Sequence, residues 1–283
     1  MTNLAPKTLV ASLMLSASAS AAIADNILVV MSDEDHLELK GEDIYATGFY
    51  LNELMQPVKM FLDAGHDLTF TTPNGGAPSV DVLSENVMFF GTEEALAEHK
   101  NLMMSLQITD PVTSPVISLG RVEQIGYDAF DAVYVPGGHA PMNDLLTDAK
   151  MGALLNHFHD AEKVTALVCH GPIALLSTMA DSETFVEAMR NGGAGVADAE
   201  WTYAGYNMTV YSNKEELAAQ SWLGGGEMKF YPQDALSLAG GQYSESAELW
   251  SPNVVVDREL ITGQNPGSAI EVATAILEQL AHN

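Results

Sequence analysis

Cysteine is almost absent from this chain of 283 residues, in which Cys169 is the only one. An internal disulfide is excluded, because two thiols are needed to form one. A single cysteine is often a small buried hydrophobe, and it is also the number that a catalytic thiol requires. The residues around Cys169 have to distinguish these two interpretations.

Basic residues are also scarce, with 11 lysines and arginines against 38 aspartates and glutamates. The formal net charge of −27 repels nucleic acid and anionic lipid, so we exclude both as partners. The acidity favours solubility and tolerance of salt, and it says little about a substrate. A monomer and a homodimer both remain open.

Long hydrophobic runs are missing after residue 24, where no stretch reaches the roughly 18 apolar residues of a transmembrane helix. At the N-terminus, a short apolar run over residues 9–15 lies between Lys7 and a small-residue segment. This pattern is typical of a secretory signal peptide, predicted here over residues 1–24 with cleavage between Ala21 and Ala24. An uncleaved anchor is the alternative. We expect an exported protein, periplasmic or secreted.

The remaining chain, residues 25–283, alternates short apolar runs with helical patterns, which indicates a mostly parallel sheet covered by helices on both faces. No linker or repeat interrupts the pattern, so we predict a single α/β domain. The predicted strands are 26–31, 67–72, 132–135, 165–169 and 207–211, with 254–256 and 259–261 as a hairpin. The first predicted helix is opened by residues 47–53 and runs to about 64. The others are about 93–105, 144–160, 181–190, 214–220, 231–238 and 268–281, and residues 108–125 are expected to be an irregular insertion with short strand pieces.

Cys169 ends the buried run Thr165-Ala-Leu-Val and is followed by His170, Gly171 and Pro172. A buried strand, a sharp turn and a helix opening form a nucleophile elbow, whose side chain stands at the carboxyl end of the sheet. We expect the helix N-terminus and the His170 imidazole to lower the pKa of the thiol. An acid must orient His170, and spacing alone does not choose among the many carboxylates. We interpret Cys169 as the nucleophile of an enzyme.

Two other features gain meaning from their position. A second buried strand ends in Pro136-Gly-Gly-His139, which should open at the same sheet edge as the elbow. Gly137 and Gly138 let backbone N–H groups approach a ligand, as in an oxyanion hole, and they equally suit a plain turn. Glu53 lies in the first turns of a helix, where a glutamate is usually solvated or capping.

A metal site is not expected from the histidines. His157, His159 and Asp160 have the composition of a ligand cluster, but positions two apart do not share a helix face. We therefore predict neither a bound metal nor a cofactor.

Together these residues resemble the PfpI superfamily, with its flavodoxin-like fold related to class I glutamine amidotransferases, and within it the glyoxalase III-like heat-shock branch. The matching segments occur in family order and span nearly the whole chain after residue 24. They are Thr47-Gly-Phe-Tyr-Leu-Asn-Glu53, Pro73-Asn-Gly-Gly-Ala-Pro78, Val135-Pro-Gly-Gly-His139, Val168-Cys-His-Gly-Pro172, Lys214-Glu-Glu216 and Leu260-Ile-Thr-Gly-Gln-Asn-Pro266.

The resemblance implies a role for each side chain of the site. Cys169 would be the nucleophile and His170 its partner. Glu216 would be the acid that orients the histidine, with Glu215 as the register alternative. Glu53 would be the general acid/base beside the thiol.

The glycine turn also acquires a role from the resemblance. Gly138 and the backbone of His170 would form the oxyanion hole beside Gly137, and His139 would line the pocket. The implied reaction is glutathione-independent conversion of methylglyoxal, or a similar 2-oxoaldehyde, to a 2-hydroxy acid such as D-lactate. An amidase or peptidase on the same elbow, and a holdase chaperone or thiol stress sensor, remain alternatives.

Overall fold

The structure is a computed structural model that describes Met1, residues 24–193 and residues 200–282. Residues 2–23 of the predicted signal peptide lie outside the described part of the chain. Within that part, no helix is long and apolar enough to cross a membrane.

The strands coincide with most of the apolar and β-branched runs, residue types that suit a pleated, buried surface. Their bounds are β1 Asn26–Val30, β2 His36–Glu38, β3 Ile44–Ala46, β4 Asp67–Thr72, β5 Ile117–Ser118, β6 Ala132–Val135, β7 Val164–Val168, β8 Asn207–Met208, β9 Gln242–Tyr243, β10 Val254–Asp257 and β11 Leu260–Gly263.

One seven-stranded sheet dominates the described residues, in the order β10-β11-β7-β6-β1-β4-β5. Its neighbours are parallel except β10 and β11, which form the predicted antiparallel hairpin. The predicted fold class, a mostly parallel sheet with helices, is confirmed. Because parallel strands point the same way, the segments that follow β1, β6 and β7 meet at one edge of the sheet.

The helices are amphipathic segments that cover this sheet. Their bounds are α1 Leu51–Asp63, α2 Glu93–Ser105, α3 Leu119–Ile125, α4 Ala149–Asp160, α5 Ser182–Arg190, α6 Asn213–Ala219, α7 Pro232–Ala239 and α8 Ala269–Leu280.

The central strand β1 is buried on both faces. Ile27 and Val29 point into the layer that contains α1 and α8, which pack against each other. Leu28 and Val30 point into the opposite layer, where α4 packs on residues 171–178. This two-sided burial explains why β1 is a continuous apolar run and not an alternating pattern.

Some predicted boundaries were wrong, and local hydrogen bonds explain two of them. The insertion over 108–125 contains a short strand piece, β5, as expected, but it also contains helix α3, because Ser118 caps that helix by accepting from the Arg121 N–H. Helix α4 begins at Ala149, five residues later than predicted, because the Asp148 side chain caps it. The strand predicted over 207–211 ends at Met208.

The segment after the elbow also differs from the prediction. Residues Gly171–Thr178 form a 3₁₀-helix. The Ser177 and Thr178 hydroxyls donate to the carbonyls of Ala174 and Leu175, three residues earlier. These short-range bonds suit the tighter 3₁₀ winding.

Candidate active site

Cys169 lies at the end of β7 with a φ of 60°, in the left-handed region that non-glycine residues rarely occupy. Its N–H donates to the Gly263 carbonyl at 2.9 Å, and its own carbonyl accepts from the Tyr211 N–H at 3.0 Å. These bonds to two neighbouring segments hold the turn in its unusual conformation. The turn has the geometry of a nucleophile elbow and presents the side chain at the carboxyl edge of the sheet.

Two successive contacts connect the Cys169 thiol to His170 and His170 to Glu216. His170 Nδ1 lies 3.3 Å from Cys169 Sγ, and His170 Nε2 lies 2.8 Å from Glu216 Oε1. All three residues are buried. Because an ionised carboxylate only accepts hydrogen bonds, we assign the ring hydrogen to Nε2. The lone pair on Nδ1 then faces the thiol and can take its proton.

Glu215, the register alternative, points away from His170 and has another structural position. Its carboxylate is fully buried and joins three chain segments. It accepts hydrogen bonds from Ser212, Trp250, Gln264 and Asn265. The structure therefore places Glu216, and not Glu215, against His170.

Helix α1 places Glu53 beside the thiol, where the sequence alone favoured a solvated or capping residue. The side chain is fully buried, and its Oε2 accepts from the Gly137 N–H at 2.8 Å. A Cβ at position 137 would lie 2.5 Å from Cys169 Cβ and 2.6 Å from Glu53 Oε2. Only glycine fits between the acid and the thiol.

The turn of α1 that carries Glu53 is tied to the sheet by a contact that the sequence analysis missed. Pro57 lies inside α1 and has no N–H for the Glu53 carbonyl, four residues earlier. The Tyr134 hydroxyl of β6 donates to that carbonyl instead. A proline four residues after a candidate acid was the available signal in the sequence.

Burial dominates the protonation of the thiol and of Glu53. It raises the pKa of Glu53 to about 8, and the charge of Asp81 adds to this, against hydrogen bonds from Cys169 and Gly137. Burial also raises the pKa of Cys169, as does the charge of Glu53, although the Gly138 N–H opposes the shift. The expectation of a lowered thiol pKa was wrong, because desolvation and the charge of Glu53 raise it.

The pKa values of His170 and Glu216 are both lowered. Burial alone would raise the pKa of Glu216, but the neighbouring His170 and His139 lower it to about 2. Burial and His139 lower the pKa of His170, against the opposing effect of Glu216. At neutral pH the site therefore contains a neutral imidazole between an ionised carboxylate and a protonated thiol.

Gly138 and His139 form the facing wall of the site. Gly138 has a φ of 87°, and a Cβ there would lie 2.0 Å from the Gly48 carbonyl oxygen, so glycine is required. Its N–H lies close enough to Cys169 to oppose the rise of the thiol pKa, so it stands beside the atom next to which an oxyanion would form. The His139 ring lies 4.2 Å from the His170 ring.

Three buried polar atoms next to the thiol have no hydrogen-bond partner among the described residues. They are both ring nitrogens of His139 and Oε2 of Glu216, and His139 Nε2 lies 3.8 Å from that oxygen. The candidate ligand atoms of His139, His170 and Glu216 lie within 4.8 Å of one another, so these are the side chains that could hold a metal ion.

The other histidines considered for a metal point to different partners. His157 Nε2 lies 3.0 Å from Asp128 Oδ1, and His159 Nδ1 lies 2.8 Å from Glu259 Oε1.

A cavity of about 340 Å³ opens over Cys169. Sequence reasoning predicted only His139, Gly138 and the elbow among its lining, and it missed the aromatic residues. Tyr211 stacks on the His170 ring with centroids 4.7 Å apart. The other aromatic residues of the lining are Tyr45, Tyr50, Phe89, Trp222 and Trp250.

A family model described as ThiJ/PfpI family-like matches residues 44–190, more than half of the chain. The chain belongs to the ThiJ/PfpI family. The matched segment includes Glu53, the glycine turn and the Cys169–His170 elbow, while Glu216 lies beyond it. The resemblance stated from the sequence is confirmed.

Three proteins similar to this chain are named as a deglycase or a glyoxalase. The protein/nucleic acid deglycase HchA of Staphylococcus aureus is 22% identical over 260 residues, which are 90% of this chain and 79% of the relative. The glutathione-independent glyoxalase hsp3101 of Schizosaccharomyces pombe is 25% identical over 237 residues, 82% of this chain and 87% of the relative. The crystal structure of glyoxalase III from Candida albicans has the same fold, with a TM-score of 0.69 at 17% identity over 92% of this chain and 98% of that chain.

Proposed function

We propose that this protein is a cysteine-dependent, glutathione-independent glyoxalase that converts a 2-oxoaldehyde such as methylglyoxal to a 2-hydroxy acid such as D-lactate. The observation that carries the proposal is the position of Cys169 between His170 on one side and buried Glu53 on the other. A hydrolase needs the thiol and its imidazole, whereas moving a proton within the substrate needs a further acid/base. The names of the S. pombe and C. albicans relatives support the same class.

The first step forms a carbon–sulfur bond. The thiol proton moves to Nδ1 of His170, and Glu216 stabilises the imidazolium through its hydrogen bond to Nε2. The thiolate attacks the aldehyde carbon, the aldehyde oxygen becomes negative, and this oxygen takes the proton from Nδ1 of His170 to give a hemithioacetal. The Gly138 N–H is placed to donate to the oxygen that becomes negative in this step.

The second step moves a proton between neighbouring carbons. The carboxylate form of Glu53 removes the proton from the former aldehyde carbon, and an enediolate forms. Glu53 returns this proton to the former ketone carbon, and the hydroxyl proton passes from the former aldehyde oxygen to the former ketone oxygen. These two transfers leave a 2-hydroxy thioester on Cys169. General acid/base assistance of this kind contributes roughly a hundred- to ten-thousand-fold in rate.

The last step breaks the carbon–sulfur bond. Water attacks the thioester, the 2-hydroxy acid leaves, and the thiol recovers its proton. The aldehyde carbon has been oxidised and the ketone carbon reduced by the same amount, so the net change is the addition of one water. The proposed reaction therefore needs no external oxidant or reductant.

The test compares three proteins for D-lactate formation from methylglyoxal without glutathione. We expect the wild type to form D-lactate and Cys169→Ala to form none. In Glu53→Gln we expect a loss of at least about a hundredfold, while the thiol still reacts with an alkylating reagent. Asp144→Asn is the matched control, since burial also raises the pKa of Asp144, to about 7, and its carboxylate accepts from the Asp33 and Leu145 N–H groups instead of contacting Cys169.

Unchanged turnover in Cys169→Ala would overturn the proposal. Cleavage of amides that requires Cys169 but tolerates Glu53→Gln would instead identify a hydrolase on the same elbow.

A further inference from the structure

The cavity over Cys169 is larger and more aromatic than a three-carbon aldehyde requires. Its volume of about 340 Å³ lies within the range of pockets that enclose much larger ligands. Among the described residues that line it, none is a lysine, arginine, aspartate or glutamate. A substituent that occupies this space would therefore be uncharged and apolar.

A chain of rings leads from the catalytic histidine to the mouth of the cavity. Tyr211 stacks on His170, and the ring of Trp250 lies 5.9 Å from that of Tyr211. Trp222 in turn stacks on Trp250, with centroids 5.5 Å apart and planes within 24°. We call Tyr211, Trp222 and Trp250 the aromatic wall. All three residues of the wall line the same cavity as Cys169.

Both tryptophans of the aromatic wall retain a large accessible area. Trp222 is 42% exposed and Trp250 is 38% exposed. Because apolar area in water is unfavourable, a flat apolar group that covers these rings would be stabilised by burial and by ring stacking. Both tryptophans line the same cavity as Cys169, so the group that covers them would belong to the molecule that reacts there.

Trp250 is held in position at a conformational cost. Its φ of 64° is unfavourable for a bulky residue. The backbone N–H of Trp250 donates to the buried Glu215 carboxylate at 3.1 Å, and the Asn265 side chain donates to the same Glu215 oxygen at 2.8 Å. The fold thus uses a fully buried acid to keep this indole over the pocket.

We infer that the substrate of this site is a 2-oxoaldehyde with an aryl or similarly broad, planar, uncharged substituent, which the aromatic wall holds. The inference rests on the proposed function and specifies its substrate class. Phenylglyoxal, which would be converted to mandelate by the same steps, is the probe. Its ring would cover Trp222 and Trp250 while its aldehyde carbon faces Cys169.

The kinetic test compares kcat/KM for phenylglyoxal and methylglyoxal, measured as mandelate and lactate. We expect the wild type to favour phenylglyoxal by about tenfold or more, since ring stacking adds to the burial of area. In Trp222→Ala this preference should fall by about tenfold. Leu217→Ala is the control, because Leu217 is exposed on α6 and does not line the cavity. A wild-type preference for methylglyoxal, or the same preference in Trp222→Ala, would overturn the inference.

A binding test separates this inference from the proposed reaction. In Cys169→Ala the nucleophile is absent, and quenching of tryptophan fluorescence reports whether phenylglyoxal reaches the wall. We expect saturable quenching by phenylglyoxal that is lost in Cys169→Ala/Trp222→Ala and that methylglyoxal does not reproduce. Such quenching without turnover of any 2-oxoaldehyde by the wild type would refute the proposed function and retain the aryl site. Turnover of methylglyoxal by the wild type without such quenching would refute the aryl site alone.

Discussion

The Tyr134 hydroxyl donates its hydrogen bond to the backbone carbonyl of Glu53, the carbonyl that Pro57 leaves without its helical donor. Both side chains are fully buried, so no solvent can replace this bond. Tyr134 belongs to β6 and Glu53 to α1, and the contact sets the height of the acid over the sheet edge where Cys169 lies. Tyr134 acts on the site through Glu53 and is a positioning residue.

Tyr134→Phe should therefore affect both stability and rate. Leaving the buried carbonyl without a donor costs about 1–3 kcal/mol of unfolding free energy, measurable by urea denaturation. We also expect kcat to fall and the pH dependence of kcat to shift, because Glu53 is less firmly held. A purely structural role would lower stability and leave the pH profile of kcat unchanged.

Pro57→Ala offers a rescue of that defect. An alanine at this position restores the N–H that a helix directs at the Glu53 carbonyl. In Tyr134→Phe/Pro57→Ala we expect part of the lost stability and rate to return, so the two substitutions are not additive. Simple additivity in this double-mutant cycle would show that the shared carbonyl is not what couples Tyr134 to Glu53.

The raised pKa of Glu53 predicts the pH dependence of turnover. The proposed proton transfer uses the carboxylate form, and with a pKa of about 8 only about one tenth of Glu53 is ionised at pH 7. The rate should therefore rise as pH increases and level off above about pH 8. The pH profile of kcat/KM tests this, and a rate that is already constant between pH 6 and about 8 would contradict it.

The raised pKa of Glu53 also predicts that its contribution to the free energy of unfolding falls as pH rises, opposite to the trend of the rate. Glu53 has a pKa of about 8 when folded, against an ordinary 4.5, so the folded protein retains a proton that the unfolded chain loses. Its stabilising contribution is complete below pH 4.5 and declines as pH rises to about 8. The decline is about 1.4 kcal/mol for each pH unit, or about 5 kcal/mol in all. Glu53→Gln should lack this decline in urea unfolding measured across the window.

The contribution of Glu216 to stability should depend on pH in the opposite direction. Its pKa of about 2, below the ordinary 4.5, gives stability that is present above pH 4.5 and is lost as pH falls towards 2. Unfolding curves of Glu216→Gln between pH 2 and pH 5 should therefore be less pH-dependent than those of the wild type. An unchanged acid dependence would mean that other carboxylates control unfolding there.

Gly137→Ala should abolish the proposed activity and leave the protein folded. The added methyl would meet Cys169 and Glu53 at less than 3 Å, so one of them must move. A displacement of about 1 Å in an active site costs on the order of a hundredfold in rate. Gly120→Ala is the control, because its Cβ would meet the flexible Lys150 side chain at 3.4 Å and the Ser118 hydroxyl at 3.8 Å, which are ordinary contact distances. Circular dichroism of both variants should resemble the wild type, and full activity in Gly137→Ala would refute this geometry.

Local patterns in the chain predicted the framework of the site. A buried apolar run that ends in Cys169-His170-Gly171, and another that ends in two glycines, indicated two strand ends. The periodicity of 3.6 or 2 residues, together with the rule that parallel strands share an edge, placed them together. These patterns are formed by residues close together in the chain, so they can be recognised from the sequence alone.

Distances between remote segments could not be read in this way. The choice of Glu216 over Glu215, one position apart, depends on how α6 is rotated against His170. The raised pKa of Cys169 depends on burial by many segments, which no motif near the elbow records. The aromatic wall brings together Trp222, from the 3₁₀-helix Gln220–Leu223 after α6, and Trp250, from the loop before β10. In each case, long-range packing sets the distance and the dielectric surroundings, and these determine the chemistry of the site.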